Sequence, residues 1–230
     1  MNIVITGAGK GIGFELAKLF ANNSNNKIVA ISRDISKLTN LKIEGKLFPV
    51  SYNLENLLHG DLQLIERINL LIGNIDILIN NAGLLIKEDF ENINIVEARR
   101  IFDINYFVPA ILIKELLPFF SKEGKPHIVN IGSMGGFQGS SKFKGLSIYS
   151  SSKSAIAALS ECLAEELKET GISCNCLALG SAQTEMFNTA FPGLKASCQA
   201  ADMAAEILKF SLEGHLNNNG KVIPMVFGDF

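Results

Sequence analysis

Short apolar runs recur along the 230-residue chain at residues 2–6, 27–32, 47–52, 76–80, 127–133 and 172–179. They are nearly continuous rather than alternating, the pattern of strands covered by helices on both sheet faces. Between them, helical segments are expected over residues 11–23, 55–72, 95–120 and 149–170. Alternation of strand and helix with connections this long predicts a parallel, doubly wound α/β sheet in one domain over residues 1–230. A further helix is expected over 202–212 and a last strand over 221–227, with Asn217-Asn218-Asn219-Gly220 as the turn between them. The segment 180–200 is long and mixed in character and follows the carboxyl end of a strand, the edge where such sheets bind ligands. It reads either as a substrate lid or as a plain surface loop, and the pattern leaves both open.

Composition narrows the classes. Hydrophobic residues make up 47% of the chain, enough for a full core. The formal net charge is −2 with no basic cluster to track a phosphate backbone, so a nucleic-acid partner is not expected. No apolar run approaches the ~18 residues of a membrane span, and the first residues lack a basic stretch leading into an apolar one. A soluble, cytoplasmic protein with no membrane partner is the expectation. Cys162, Cys174, Cys176 and Cys198 read as reduced thiols, and Cys174 and Cys176 have no second pair to complete a metal site.

The first strand runs into Thr6-Gly7-Ala8-Gly9-Lys10-Gly11-Ile12-Gly13 and a helix follows at once. Glycines there permit a tight turn and let the backbone approach a pyrophosphate, whose charge the helix N-terminus favours. A dinucleotide is the ligand this predicts, although such turns also occur without one. Tyr149 and Lys153 stand four residues apart, on one face of a helix. An ammonium beside a phenol favours the ionised form, and a phenol that otherwise titrates near ~10 needs such help to shuttle protons near neutrality. The same spacing also suits an ordinary helix start.

Taken in order, the glycine segment, Asn80-Asn81-Ala82-Gly83, Asn105, Ser133 and Tyr149-x-x-x-Lys153 resemble the short-chain dehydrogenases/reductases, over residues 2 to about 186. The resemblance implies a Rossmann-like fold and a role for each matching residue. Tyr149 would donate a proton to a substrate carbonyl, Ser133 would hold that oxygen, and Lys153 would lower the tyrosine pKa and bind the nicotinamide ribose. Asn105 would support a water in a proton relay. Gly7, Gly9, Lys10, Gly11, Ile12 and Gly13 would cradle the cofactor. Asn81, Ala82 and Gly83 would line its adenosine side with Asn80 tying strands, and Thr184 would contact the carboxamide. Asn53-Leu54 stands where the family has Asp-Leu beside the adenine. Leu179-Gly180 replaces a Pro-Gly, which predicts a looser turn before the lid. The stretch 137–144 makes the loop between Ser133 and Tyr149 a few residues longer than usual, a wall for the substrate pocket. Homodimers or homotetramers through 95–120 and 149–170 are implied, while the ending Gly228-Asp229-Phe230 departs from the glycine-rich ending of many tetramers.

Charge then bears on the cofactor. Versions that bind NAD(H) carry an acidic residue after the second strand, and this chain has Ser32-Arg33 there. Arg33 can pair with a 2′-phosphate and Lys10 adds a second cation, so NADP(H) is favoured over NAD(H). The expected activity is reduction of a small-molecule carbonyl, a 3-oxoacyl thioester or a small diketone. A non-catalytic NADP-binding regulatory or scaffold protein on the same fold is the alternative. Hydrolysis is disfavoured, because His59, His127 and His215 pair with no nucleophile.

Overall fold

The computed structural model describes residues 1–228, so the ending 228–230 lies largely outside the described residues. The elements run β1 (Asn2–Thr6), α1 (Gly11–Ala21), β2 (Lys27–Ser32), α2 (Ser36–Thr39), β3 (Leu47–Ser51), α3 (Gln63–Ile72) and β4 (Ile77–Asn80). They continue with α4 (Ile95–Phe102), α5 (Val108–Leu116), β5 (His127–Ile131), α6 (Ser147–Glu166), β6 (Ser173–Leu179) and β7 (Ala182–Gln183). The last are α7 (Glu185–Ala190), β8 (Cys198–Gln199), α8 (Ala200–Glu213) and β9 (Val222–Met225).

Seven strands form one sheet in the order β3-β2-β1-β4-β5-β6-β9, every pair parallel. This is the expected doubly wound architecture. The apolar runs are buried on both sides: α1 and α8 cover one face through Leu16, Phe20, Met203 and Ile207. Helices α3 and α5 cover the other through Leu64, Ile68, Leu112 and Leu116. The strand order reverses between β1 and β4, which opens a crevice beyond their carboxyl ends.

Three departures from the pattern have local causes. The helix expected over 55–72 is divided: a 3₁₀ turn at Leu54–His59 is capped by Asn53, and Gly60 at φ 78° ends it. The Asp61 carboxylate then accepts the Gln63 N–H at 3.0 Å and starts α3. The helix expected over 95–120 contains a π turn at Asp103–Phe107 and ends in a 3₁₀ turn at Leu117–Phe119. The looser turn expected from Leu179-Gly180 is not found. Leu179 stays in β6, in register with Met225, and the Gly180 N–H donates to the Met225 carbonyl at 2.8 Å. That bond is donated by Gly180, so the edge to β9 is held by the glycine's N–H whatever the residue at 179.

Candidate functional site

The glycine turn sits at the crevice. Gly7 (φ 67°) and Gly11 (φ 55°) occupy the left-handed region that favours glycine. Gly9 and Gly13 serve a different purpose. A Cβ on Gly9 would stand 2.4 Å from both Ser32 Oγ and the Asp34 carbonyl, and one on Gly13 would stand 2.4 Å from the Gly7 carbonyl. These two close the turn against its neighbours and do not line the crevice. Asn81 braces the turn from the next strand, its Nδ2 donating to the Thr6 and Gly7 carbonyls at 2.9 and 3.2 Å. Asn80 donates to Asn130 Oδ1 at 2.8 Å, which ties β4 to β5.

The crevice is a cavity of about 950 Å³. Gly7, Lys10, Gly11, Ile12, Ser32, Arg33, Asn53, Leu54, Asn81, Ala82 and Gly83 line one arc. Ser133, Tyr149, Lys153 and Thr184 line the remainder, so every expected site residue except Gly9, Gly13 and Asn105 faces the same space. Arg33 and Lys10 are exposed cations on the first arc. Glu55, on which the charge of Arg33 acts, is engaged by Arg100 at 2.8 and 3.2 Å and held below its ordinary pKa by that bond. A group with a phosphate at this rim meets two cations, with Glu55 and Glu185 as their nearby countercharges, each also bonded to another cation.

Tyr149 lies in the first turns of α6, which begins at Ser147. Its phenol is pushed above its ordinary pKa by burial, while the neighbouring Ser133 hydroxyl pulls it down. Ser133 Oγ accepts the Gly135 N–H at 3.1 Å, so its own proton is the one it offers to the neighbouring phenol oxygen or to a substrate. Lys153 is buried, and its Nζ donates to the Ile131 carbonyl at 2.8 Å. Burial lowers it to about 8, against a rise from the nearby Cys176. Its Nζ stands 5.9 Å from the Tyr149 ring centre. The net shift of the phenol is upward all the same: the Lys153 ammonium donates to a strand carbonyl, and desolvation outweighs any lowering it gives.

Asn105 does not line the cavity; it lies behind it, in the π turn. Its Oδ1 accepts the Leu84 N–H at 2.8 Å and its Nδ2 donates to the Leu84 carbonyl and to Ser152 Oγ, both at 2.9 Å. The amide clamps the loop after β4 to α6, with its donors committed to protein rather than to water. A Cβ on Gly83 would stand 3.5 Å from both Asn105 Oδ1 and Lys153 Nζ, so the clamp and the lysine flank one glycine. Ser152, buried and bonded onward to the Tyr149 carbonyl at 2.7 Å, went unnoticed in the sequence because a serine in a Ser-Ser-Ser run carries no distinguishing pattern.

The segment 180–200 folds over the crevice. Ser181 Oγ and the Ser197 N–H bond at 2.9 Å, and β7 pairs with β8, so its base is closed. Thr184 caps α7 by accepting the Phe187 N–H at 3.2 Å. Glu185, which sequence reasoning passed over, lines the cavity and pairs with Lys37 at 3.4 Å.

A family model described as short chain dehydrogenase matches residues 1–195. An uncharacterised oxidoreductase of Staphylococcus saprophyticus is 28% identical over 222 residues, covering 94% of this chain and 93% of the relative. Among solved structures, an RhlG/NADP active-site complex of Pseudomonas aeruginosa superposes with a TM-score of 0.87 at 24% identity, covering 99% of this chain and 95% of that one. A 3-ketoacyl-(acyl-carrier-protein) reductase of Brucella melitensis complexed with NADH gives 0.83 at 23% identity, covering 97% and 96%. At these identities the two structures speak for the fold, and one carries NADP where the other carries NADH.

Proposed function

This chain belongs to the short-chain dehydrogenase family, and from that premise we propose that it is an NADPH-dependent reductase of carbonyl compounds, with Tyr149 as proton donor. The observation that carries the reading is the convergence of Ser133, Tyr149 and Lys153 on the cavity whose opposite arc is the glycine turn. Positive φ at Gly7 and Gly11 and the cations at its rim suit a dinucleotide with an extra phosphate. Gly7, Lys10, Gly11 and Ile12 would hold the pyrophosphate, and Ser32 and Arg33 the 2′-phosphate. Asn53, Leu54, Asn81, Ala82 and Gly83 would flank the adenosine, with Thr184 at the nicotinamide end.

A bound nicotinamide supplies the hydride. The protein's own part is to bind and to move a proton. A phenol is protonated at neutral pH, and burial moves Tyr149 further that way, so it holds the proton that a carbonyl oxygen gaining charge can accept. The Ser133 hydroxyl, neighbour of the phenol, would hydrogen-bond the same oxygen, and two donors on one developing oxyanion lower the barrier. Lys153, charged below about pH 8, stabilises the phenolate left behind.

The rest of the cavity favours an apolar substrate body. Phe137, Phe143, Phe187, Phe191 and Leu194 line it, and the acidic Glu185 is turned to Lys37. This supports an acyl or aryl ketone over a small diketone. The test is NADPH consumption with a panel of ketones and aldehydes, measured beside NADH. Turnover that prefers NADPH, with Arg33→Ala raising its KM by about tenfold and leaving that for NADH, is the expected result. A native preference for NADH would refute the cofactor assignment. NADPH binding without turnover of any carbonyl would favour the scaffold alternative.

A further inference from the structure

The loop between Ser133 and Tyr149 contains a lysine whose ammonium is directed to the loop's own backbone. Lys142 Nζ donates to the Gly135 carbonyl at 2.8 Å, to the Phe137 carbonyl at 2.7 Å and to Ser140 Oγ at 3.0 Å. Its neighbour Lys144 behaves as a surface lysine, pairing with Asp89 at 2.8 Å. The Ser140 hydroxyl in turn reaches the carbonyls of Met134 and Phe137, and Ser154 donates to the Gly136 carbonyl at 2.7 Å. Four successive carbonyls, 134 to 137, are thus held by side chains. Lys142 alone supplies the charged donors and spans five and seven residues to do so.

What those carbonyls belong to gives the contact its consequence. The 3₁₀ turn Met134–Gly136 begins at Ser133, whose Oγ accepts the Gly135 N–H. Gly136 packs on α6 so closely that a Cβ there would stand 2.6 Å from the Lys153 backbone carbon. Phe137 follows directly and lines the cavity, as does Phe143 just beyond the lysine. One ammonium therefore fastens the turn that orients Ser133 to the loop that carries two aromatic wall residues. Charge-assisted bonds to backbone oxygens are the stronger class, and a loop longer than usual has more conformational freedom to suppress.

We propose that Lys142 is a positioning and specificity-determining residue, a pin that fixes the substrate wall relative to Ser133. This rests on the reductase reading, with the cavity's apolar arc as the carbonyl subsite. Lys142 does not line the cavity, so it acts through the backbone of 135–137 and not by touching substrate.

The experiment compares Lys142→Met and Lys142→Arg with the native chain in three readouts. With NADPH and a bulky aryl ketone, Lys142→Met is expected to raise the ketone KM by about tenfold, with kcat changed about twofold or less, since the lost bonds shape the wall more than the proton donor. Lys142→Arg, which keeps the charge and several donors, recovers KM to within about threefold. NADPH affinity, read by fluorescence titration, is unchanged in both. Equal KM in Lys142→Met and native protein, or an equal loss in the Met and Arg variants, overturns the proposal. Hydrogen exchange of amides in 134–146 is followed without substrate, so it still decides if no carbonyl is reduced. Faster exchange confined to that segment in Lys142→Met supports the pin, and unchanged exchange overturns it. Absence of turnover in the native chain counts against the reductase reading alone.

Discussion

Lys153 is the residue on which the site's electrostatics turn. Its ammonium is buried with one strand carbonyl as hydrogen-bond partner, and burial brings it to about 8. Reduction needs that charge beside a phenolate in the making, so kcat for ketone reduction is expected to fall as pH rises through about 8. A pH–rate profile at saturating NADPH checks this; a rate flat to pH 10 contradicts it. The same burial costs stability, because between about 8 and the ordinary 10.5 the unfolded chain holds a proton that the folded chain does not. Lys153→Met should therefore lose activity and yet raise Tm, by about 2–4 °C for a domain this size. Differential scanning calorimetry near pH 7 reads it, and a lower Tm would mean the Ile131 contact outweighs desolvation. Tyr149, Lys153 and Ser133 were legible as a set in the sequence. The direction of the phenol's shift was not, since it depends on where the lysine points and how dry the site is.

At the scale of elements, the turn after β1 and the π turn carry the site. Gly9 has no left-handed φ and owes its identity to Ser32 Oγ and the Asp34 carbonyl. Gly9→Ala must push the β2 end away, so a loss of about 1–3 kcal/mol is expected, with weaker NADPH binding. Urea unfolding and cofactor titration measure the two, and an unperturbed midpoint would mean that the strand end gives way freely. The strands and most helices were legible because burial on both sheet faces leaves unbroken apolar runs. The break at Gly60 was written in Gly60-Asp61, a left-handed glycine followed by a capping carboxylate. The π turn at Asp103–Phe107 was not, because Asn105 owes its place to Leu84 and Ser152, 21 and 47 residues away in the chain. π turns concentrate at functional sites for this kind of reason: tertiary contacts outvote the local ladder. Lys142 escaped notice likewise, since only the folded loop brings its ammonium to carbonyls 135 and 137.

The whole molecule couples its core to pH through His127. This side chain is fully buried at the start of β5, with Nδ1 against the Ser211 carbonyl at 3.1 Å and Nε2 against Asn175 Nδ2 at 3.0 Å. Burial pushes it down to about 4. Between pH 6.5 and 4 the unfolded chain binds a proton that the folded chain refuses, so stability is fully present above about 6.5 and is lost as pH falls toward 4. Urea midpoints should report a loss on the order of 2 kcal/mol from pH 7 to 5, flatter in His127→Leu. An equal slope in that variant would place the acid sensitivity elsewhere. Among the described residues no helix is long and apolar enough to cross a membrane. What integrates the fold is the crevice beyond β1 and β4, where a glycine turn and a tyrosine from distant parts of the chain meet one cavity. The central claim is that Tyr149 delivers the proton there. It is tested most directly by comparing kcat for NADPH-dependent ketone reduction between the native chain and Tyr149→Phe, with NADPH affinity as the control. A fall of at least about 10²-fold at unchanged NADPH affinity is predicted, and undiminished turnover in Tyr149→Phe would contradict the account.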